Sequence, residues 1–248
     1  MRLLLGIDDT DVLGQRPGTG RLARELGVYL ETQGLARLVG VVRHQLLVDP
    51  RIPYTSHNSP ACLILEVDAE HNGLERRLFD VAGGYVAHRS AQGSDPGVCL
   101  GAGERIDAGV IRFGYRASSE LVGKGEAAAL AAGQGLMLAE LGGTGDGIIG
   151  ALAAVGLTAE GNAGRFLELA GGLRGFGERV SAGALRQRGM SLLSMSRNGE
   201  VVPSDAVIDT GDWVRPRLIA GTAVLLVELT AEGWRCFDRK AKHVESAG

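Results

Sequence analysis

The sequence predicts a mixed chain: an α/β domain over residues 1–116, an α+β, ferredoxin-like domain over 117–238, and a frayed tail at 239–248. Three observations carry this. Short apolar runs of strand length alternate with segments of helical period through the first half. Beyond a glycine-led helix, the second half sets short strands around one helix, the order of a split βαβ unit. The length of 248 residues, with 45% hydrophobic and 22% charged residues, suits a soluble globular protein of one large or two ordinary domains.

The first strand, Leu3-Leu4-Leu5-Gly6-Ile7, runs into Asp8, Asp9 and Asp11. If it continues, Asp9 and Asp11 share a face and Asp8 takes the other. Such crowding of carboxylates costs free energy unless a cation or strong donors neutralise it. Mg²⁺ fits, because it takes one or two carboxylates and completes its shell with water and phosphate oxygens. The alternative is a solvated turn after an edge strand. A loop with Gly14, Pro17 and Gly18 leads to a helix over 21–31, with Leu22, Leu26, Tyr29 and Leu30 on one face. Thr19 stands where an N-cap belongs. The Gly18-Thr19-Gly20 turn offers free backbone N–H groups to a phosphate, with an ordinary capped connection as the other reading.

A strand over 38–42, continuing to about 48, precedes the polar loop 49–60, which holds three prolines, His57 and Asn58. Its length and hydrogen-bonding side chains mark a binding loop. A strand at 61–67, a helix at 70–82 stopped by Gly83-Gly84, a turn at 92–98 and a helix at 104–114 complete the first half. The second half opens with a helix over 126–141. The loop Gly142 to Gly147 then leads a helix whose Gly150, Ala151, Ala153 and Ala154 permit close packing, with Gly156 as its stop. This loop is neither a dinucleotide fingerprint nor a P-loop. Asp146, its one charge, is read as a partner for a guanidinium or as an N-cap. Strands at 165–169, 192–195, 201–202 and 207–208, a helix at 179–188, and a hairpin-like pair at 223–229 and 234–237 follow.

The net charge of −3 and the absence of a basic run disfavour sequence-independent nucleic-acid binding by this chain alone. Cys62, Cys99 and Cys236 are odd in number and widely spaced, against a disulfide framework or structural zinc. No apolar run is long enough to span a membrane and no signal peptide is evident, so the expected location is cytoplasmic. Lysine is confined to Lys124, Lys240 and Lys242. Base composition explains such scarcity, yet Lys124 between glycines is also placed for a phosphate contact.

Four stretches together resemble the agmatidine synthetase family, archaeal enzymes that attach agmatine to a cytidine in the anticodon of an isoleucine tRNA. Gly6-Ile7-Asp8-Asp9-Thr10-Asp11 is similar to the family's amino-terminal signature. Asp49-Pro50-Arg51-Ile52-Pro53-Tyr54 resembles its Asn-Pro-x-Ile-Pro-Trp loop, and Asp95-Pro96-Gly97-Val98 its Asn-Pro-Gly-Val turn. The run from Gly147 to Gly156 resembles its glycine-led helix. The resemblance implies a kinase-like domain using ATP and Mg²⁺ followed by a ferredoxin-like domain. It also implies that ATP phosphorylates the cytidine carbonyl oxygen and that the amine displaces the phosphate. The threonine associated with phosphoryl transfer in that family corresponds best to Thr19, although the family's Cys-Thr-Thr is replaced here by Gly-Thr-Gly. The family's OB-fold and zinc-ribbon regions, which hold the tRNA, have no counterpart in this sequence.

The reading is therefore an ATP-dependent synthetase or kinase-like enzyme. Asp8, Asp9 and Asp11 hold Mg²⁺ or orient the nucleophile, with Thr19 beside them. Thr10, Gly18, Gly20 and Lys124 bind the cofactor. Arg43, His57, Asn58 and Asp146 contact the substrate, an amine such as agmatine and, if the family substrate is kept, tRNA. The alternatives are a small-molecule kinase or ligase built on the same core and a non-catalytic nucleotide-binding regulatory module.

Overall fold

Leu3, Leu5 and Ile7 project to one face of the first strand and Leu4 and Gly6 to the other, so both faces need a cover of helices. The computed structural model describes residues 1–14, 18–52, 58–68, 73–196, 199–211 and 213–238. Among these, the strands of the first half are β1 (Arg2–Asp8), β2 (Arg37–Arg43), β3 (Ala61–Glu66), β4 (Gly97–Ala102) and β5 (Met137–Glu140). Those of the second are β6 (Arg165–Leu169), β7 (Arg179–Ser181), β8 (Ser191–Ser194), β9 (Val207–Asp209), β10 (Arg217–Ile219), β11 (Thr222–Thr230) and β12 (Gly233–Cys236). The helices are α1 (Thr19–Thr32), α2 (Leu74–Arg89), α3 (Ala108–Ser119), α4 (Lys124–Gly133), α5 (Gly147–Glu160) and α6 (Ala182–Gln187).

The strands join in one sheet of order β5-β4-β1-β3-β2-β6-β10-β11-β12-β9-β7, with β8 pairing β11 off this path. Pairing is mostly antiparallel; β8 with β11 and β9 with β12 are parallel. On one face α1 and α2 bury Leu22, Leu26 and Leu78 against Leu3, Leu5 and Ile7. On the other, α3, α4 and α5 pack Phe113, Ala127 and Leu152 in the cluster that contains Leu4, Cys62 and Cys99. Residue 116 lies within α3, and β5, α4 and α5 after it belong to the layers built on β1 and β4.

Several boundaries differ from the sequence reading, each for a local reason. Helix α2 starts four residues later than expected and passes through Gly83-Gly84 to Arg89, because neither glycine takes the left-handed conformation that would end it. Helix α3 starts at Ala108, where Asp107 caps it by accepting from Gly109 N and Val110 N. The helix expected over 126–141 ends at Gly133; Gly135, with φ +64, turns the chain into β5, which adds to the edge of β4. Gly156 does not stop α5. It lies against the Val110 carbonyl of α3 with no room for a Cβ, and the stop is Gly161 in left-handed conformation at φ +86. Strand β2 ends at Arg43 rather than near 48, β10 is an additional strand, and 201–202 is not a strand. The tail at 239–248 lies outside the described residues.

Candidate functional site

β1 carries Asp8 on the same face as Leu4 and Gly6, towards α5. The backbone at Gly6 approaches Ala151 O, and the Asp8 carboxylate sits over Gly150; a Cβ at either glycine would collide. The small residues of α5 thus bring the helix onto the strand end. Asp9 then adopts φ +54, and this left-handed step ends the strand at Asp8. The expected two-and-one division of the aspartates across a continuing strand does not occur.

Beyond the step, Thr10 and Thr19 are buried, and the Thr10 hydroxyl donates to Thr19 Oγ1 at 3.0 Å. Thr19 Oγ1 also accepts from Thr10 N at 3.4 Å and donates to Asp11 Oδ1 at 3.5 Å. Thr19 is therefore the first residue of α1 and not its cap. Gly18 is the N-cap, and the Thr19 hydroxyl ties the helix start to the aspartate segment.

These groups open on a cavity of about 520 Å³, within the usual range for small-molecule sites. Three helices begin on its wall: α1 at Gly18–Gly20, α4 at Gly123 and Lys124, and α5 at Asp146 and Gly147. Helix starts carry the positive end of the helix dipole, which favours phosphate; at α5, however, the N–H groups of Gly147, Ile148 and Ile149 already donate to Asp95 O, Gly145 O and Asp146 O. Residues 91–97 tie the start of α5 to the segment after Asp9: Gly147 N donates to Asp95 O at 3.1 Å, Leu141 N to Pro96 O at 2.8 Å, and Ala91 N to Thr10 O at 2.9 Å.

The electrostatics are bipolar. Burial pushes the Asp8 carboxyl up to about 8, with Asp9 and Asp11 adding to the rise and a backbone hydrogen bond at Asp9 opposing it. Asp9 is pushed up to about 6 by burial and then by Asp95, Asp11 and Asp146. Arg21, Arg24, Arg43, Arg51 and Arg174 also line the cavity, Arg21 paired with Glu25 and Arg51 with Asp49.

Of the residues singled out by sequence, Asp8, Asp9, Asp11, Gly18, Thr19, Gly20, Lys124, Arg43, Asn58 and Asp146 all line this one cavity, and Thr10 lies buried beneath it. His57 lies outside the described residues. Lys124 pairs with Glu140 at 3.3 Å and donates to Thr144 O, so its ammonium bridges the end of β5 and the loop that follows. Asn58 donates to Leu47 O at 2.8 Å and closes the base of the 49–60 loop. Asp146 is exposed at the start of α5 and makes no side-chain cap. Sequence reasoning missed Asp95 as a member of the acidic group, although the turn that holds it is visible in the sequence. It also missed Arg24, Arg174 and Trp213, which carry no local motif.

Among the described residues no three His, Cys, Asp or Glu side chains converge as a ready metal cage. The donor set does suit a hard cation bound by one or two carboxylates with phosphate and water, since the mutual repulsion around Asp9 is what such a cation relieves.

No family model and no curated protein matches the chain. Solved structures do. The crystal structure of a tRNA fluorescent labeling enzyme is 28% identical, covers 63% of this chain and 36% of that one, and has a TM-score of 0.54. The complex of the agmatidine synthetase TiaS with its tRNA and ATP gives the same coverage, 28% identity and a TM-score of 0.54. The complex of TiaS with tRNA, AMPCPP and agmatine is 27% identical at a TM-score of 0.52, again over 63% of this chain and 36% of that one. The chain is similar to tRNA agmatidine synthetase. It spans little more than a third of that synthetase's length, consistent with likeness to a catalytic core only. In those structures the synthetase is held with tRNA and with ATP or its analogue, and in one also with agmatine.

Proposed function

We propose that this chain is the core of an ATP-dependent synthetase, activating an oxygen of its acceptor by phosphoryl transfer before an amine such as agmatine attacks. The observation that carries the reading is convergence. Stretches at 6–11, 49–52 and 147–156, far apart in sequence, meet around one cavity on whose wall three helices begin, and the 94–97 turn is hydrogen-bonded to Gly147. The similarity to synthetase structures bound to ATP, tRNA and agmatine supports it.

In this reading the strands from β1 to β5 with α1 to α5 form a kinase-like unit, which takes in residues beyond 116, and the later strands a ferredoxin-like one. The helix start at Gly18–Gly20, with Lys124, takes the triphosphate, and Arg43 and Asn58 face the acceptor. The γ-phosphoryl group moves to the acceptor oxygen as ADP leaves; the amine nitrogen then bonds to the activated carbon as phosphate departs. Asp11, which accepts from the Thr19 hydroxyl, orients that hydroxyl towards the phosphates. Asp9, with Asp8 or Asp11, would hold Mg²⁺, whose contribution is to neutralise charge on the transferring phosphoryl group. Asp146 takes the guanidinium end of the amine.

Substitution Asp9→Asn is expected to abolish ATP consumption while circular dichroism stays native; undiminished turnover overturns the reading. Screening ATP consumption against agmatine and related amines, with and without tRNA, identifies the acceptor. Turnover with an amine and no tRNA assigns the core to a small-molecule ligase.

A further inference from the structure

His44, the residue after β2, is 1% exposed, and its Nδ1 has no hydrogen-bond partner among the described residues. Gly164 lies against that nitrogen at φ +97; a Cβ there would stand 2.8 Å from Nδ1 and 2.8 Å from Arg43 O. The other ring nitrogen, Nε2, is 2.7 Å from Thr158 Oγ1 on α5. Thr158, itself buried, also hydrogen-bonds Cys62 of β3, whose thiol donates to Leu63 O at 3.7 Å. A buried imidazole with one orphaned nitrogen calls for an explanation, and the proposed reaction makes no use of it.

This row of bonds has a direction. Burial pushes the Cys62 thiol up to about 12, so it keeps its hydrogen, gives it to Leu63 O, and accepts at sulfur from the Thr158 hydroxyl. Thr158 has then spent its one hydrogen and accepts from Nε2. His44 therefore carries its proton on Nε2 and leaves a lone pair at Nδ1. The orphaned Nδ1 fits that arrangement, since an unpaired buried N–H is rarer than an unpaired acceptor. Burial also holds the imidazole down at about 3, which keeps it neutral.

What the bond holds is the stem of the 49–60 loop. His44 N donates to Pro60 O at 3.1 Å, Leu46 N to Asn58 O at 2.9 Å, and Leu47 N to Ala117 O of α3 at 3.0 Å. Arg43, Leu46, Asn58 and Ser59 of this stem line the cavity. Arg43 donates to Ser59 Oγ at 2.9 Å and Ser59 to Gln45 Oε1 at 3.2 Å, so the guanidinium takes its place from the stem. Helix α5 begins at the same cavity and lies over Asp8 through Gly150. The His44–Thr158 bond joins the wall that carries Arg43 to the helix that backs Asp8.

We propose that His44 is a positioning residue: as its Nε2–H tautomer it ties the loop stem to α5 and so fixes Arg43 relative to the aspartates. The assignment rests on the proposed reaction for what Arg43 meets. The tautomer and the tie do not depend on it.

The test uses the full chain, isotope-labelled in nitrogen. Long-range proton–nitrogen spectra at about pH 7 and about pH 5 should show one imidazole, absent from His44→Gln, with the Nε2–H pattern at both, while ordinary histidines titrate. An Nδ1–H pattern, or protonation of His44 between those values, overturns the proposal. Thr158→Val removes the acceptor, and the side chain of His44→Asn is too short to reach it. Both should speed exchange of the Leu46 amide about tenfold and leave the Val227 amide of β11 unchanged. His44→Gln, whose amide N–H reaches the place of Nε2, should restore most of the protection. ATP consumption with agmatine and bulk tRNA gives the functional readout. There the valine and asparagine variants should raise the KM for tRNA about tenfold and leave that for ATP unchanged, with the glutamine variant close to the unaltered chain. A glutamine variant no better than the asparagine one would mean that the ring only fills space. Equally faster exchange at Val227 would mean a general loss of stability. Either result overturns the proposal. If the unaltered chain consumes no ATP with these probes, the proposed reaction falls, and the tautomer and exchange results still decide the tie.

Discussion

Asp8 holds its place only because residue 150 has no Cβ. The carboxylate occupies the space that a methyl group would take, and α5 brings that space to the end of β1. Gly150→Ala is therefore expected to displace Asp8 or the helix at a cost of about 1–3 kcal/mol. Urea unfolding measures the cost, and ATP turnover should fall with it; an unchanged midpoint would show that the helix shifts freely. Titration gives a second residue-scale expectation. Asp8 and Asp9 are raised from 3.8 to about 8 and about 6 by burial and neighbouring carboxylates. Above pH 3.8 the native state keeps protons that the unfolded chain releases. Stability should fall as pH rises, through about 6 for Asp9 and about 8 for Asp8. Asp8→Asn should flatten the fall between those two values in denaturation curves without added Mg²⁺. At this scale the acidic run was legible in the sequence, because charge crowding needs no fold to be seen. The left-handed turn at Asp9 was not, since a positive φ is uncommon for any residue with a side chain, although aspartate takes it more readily than most.

Helix α5 shows what the sequence carries at the scale of an element. Its small residues foretell close packing, and the structure places them against β1, β4 and α3. The error over Gly156 has a clear cause: a glycine needed for contact with α3 looks the same in sequence as one needed to end a helix. Leu152 is fully buried in the cluster beneath the sheet. Leu152→Ala is expected to cost about 2–5 kcal/mol by chemical denaturation. A smaller loss would mean that the layer of α3 and α4 collapses to fill the space. Helix α4 and strand β5 merge in the sequence for a similar reason, since an Ala/Leu-rich run has no periodic signal strong enough to reveal where Gly135 turns it.

For the molecule as a whole, the decisive feature is that β2 pairs with β6, so one sheet continues from the aspartate region to the carboxyl-terminal strands. Sequence alone gives strands in order and says little about which ones meet, because hydrophobic pattern does not specify a distant partner. Arg24 with Arg174, and Arg43 with Arg215, come close enough to feel each other's charge although they are far apart in sequence, which is why no motif announced them. Both tryptophans, Trp213 and Trp234, lie in the later strand region, whereas helix content is spread over the chain. If the continuous sheet unfolds as one unit, tryptophan fluorescence and far-UV circular dichroism should give coincident transitions in urea. Separated midpoints would show that the β2–β6 seam opens first.

The buried cysteines offer a way to watch that seam from inside. Cys62 and Cys99 sit on the strands either side of β1, both opposite Gly6, while Cys236 lies on β12 at the other end of the sheet. A thiol reagent can reach them only when the surrounding strands part. Labelling rates followed by mass spectrometry thus become two clocks within one molecule, one set under the aspartates and one in the distant strands. The ratio of the two, with and without nucleotide, would report which end of the protein a ligand holds shut.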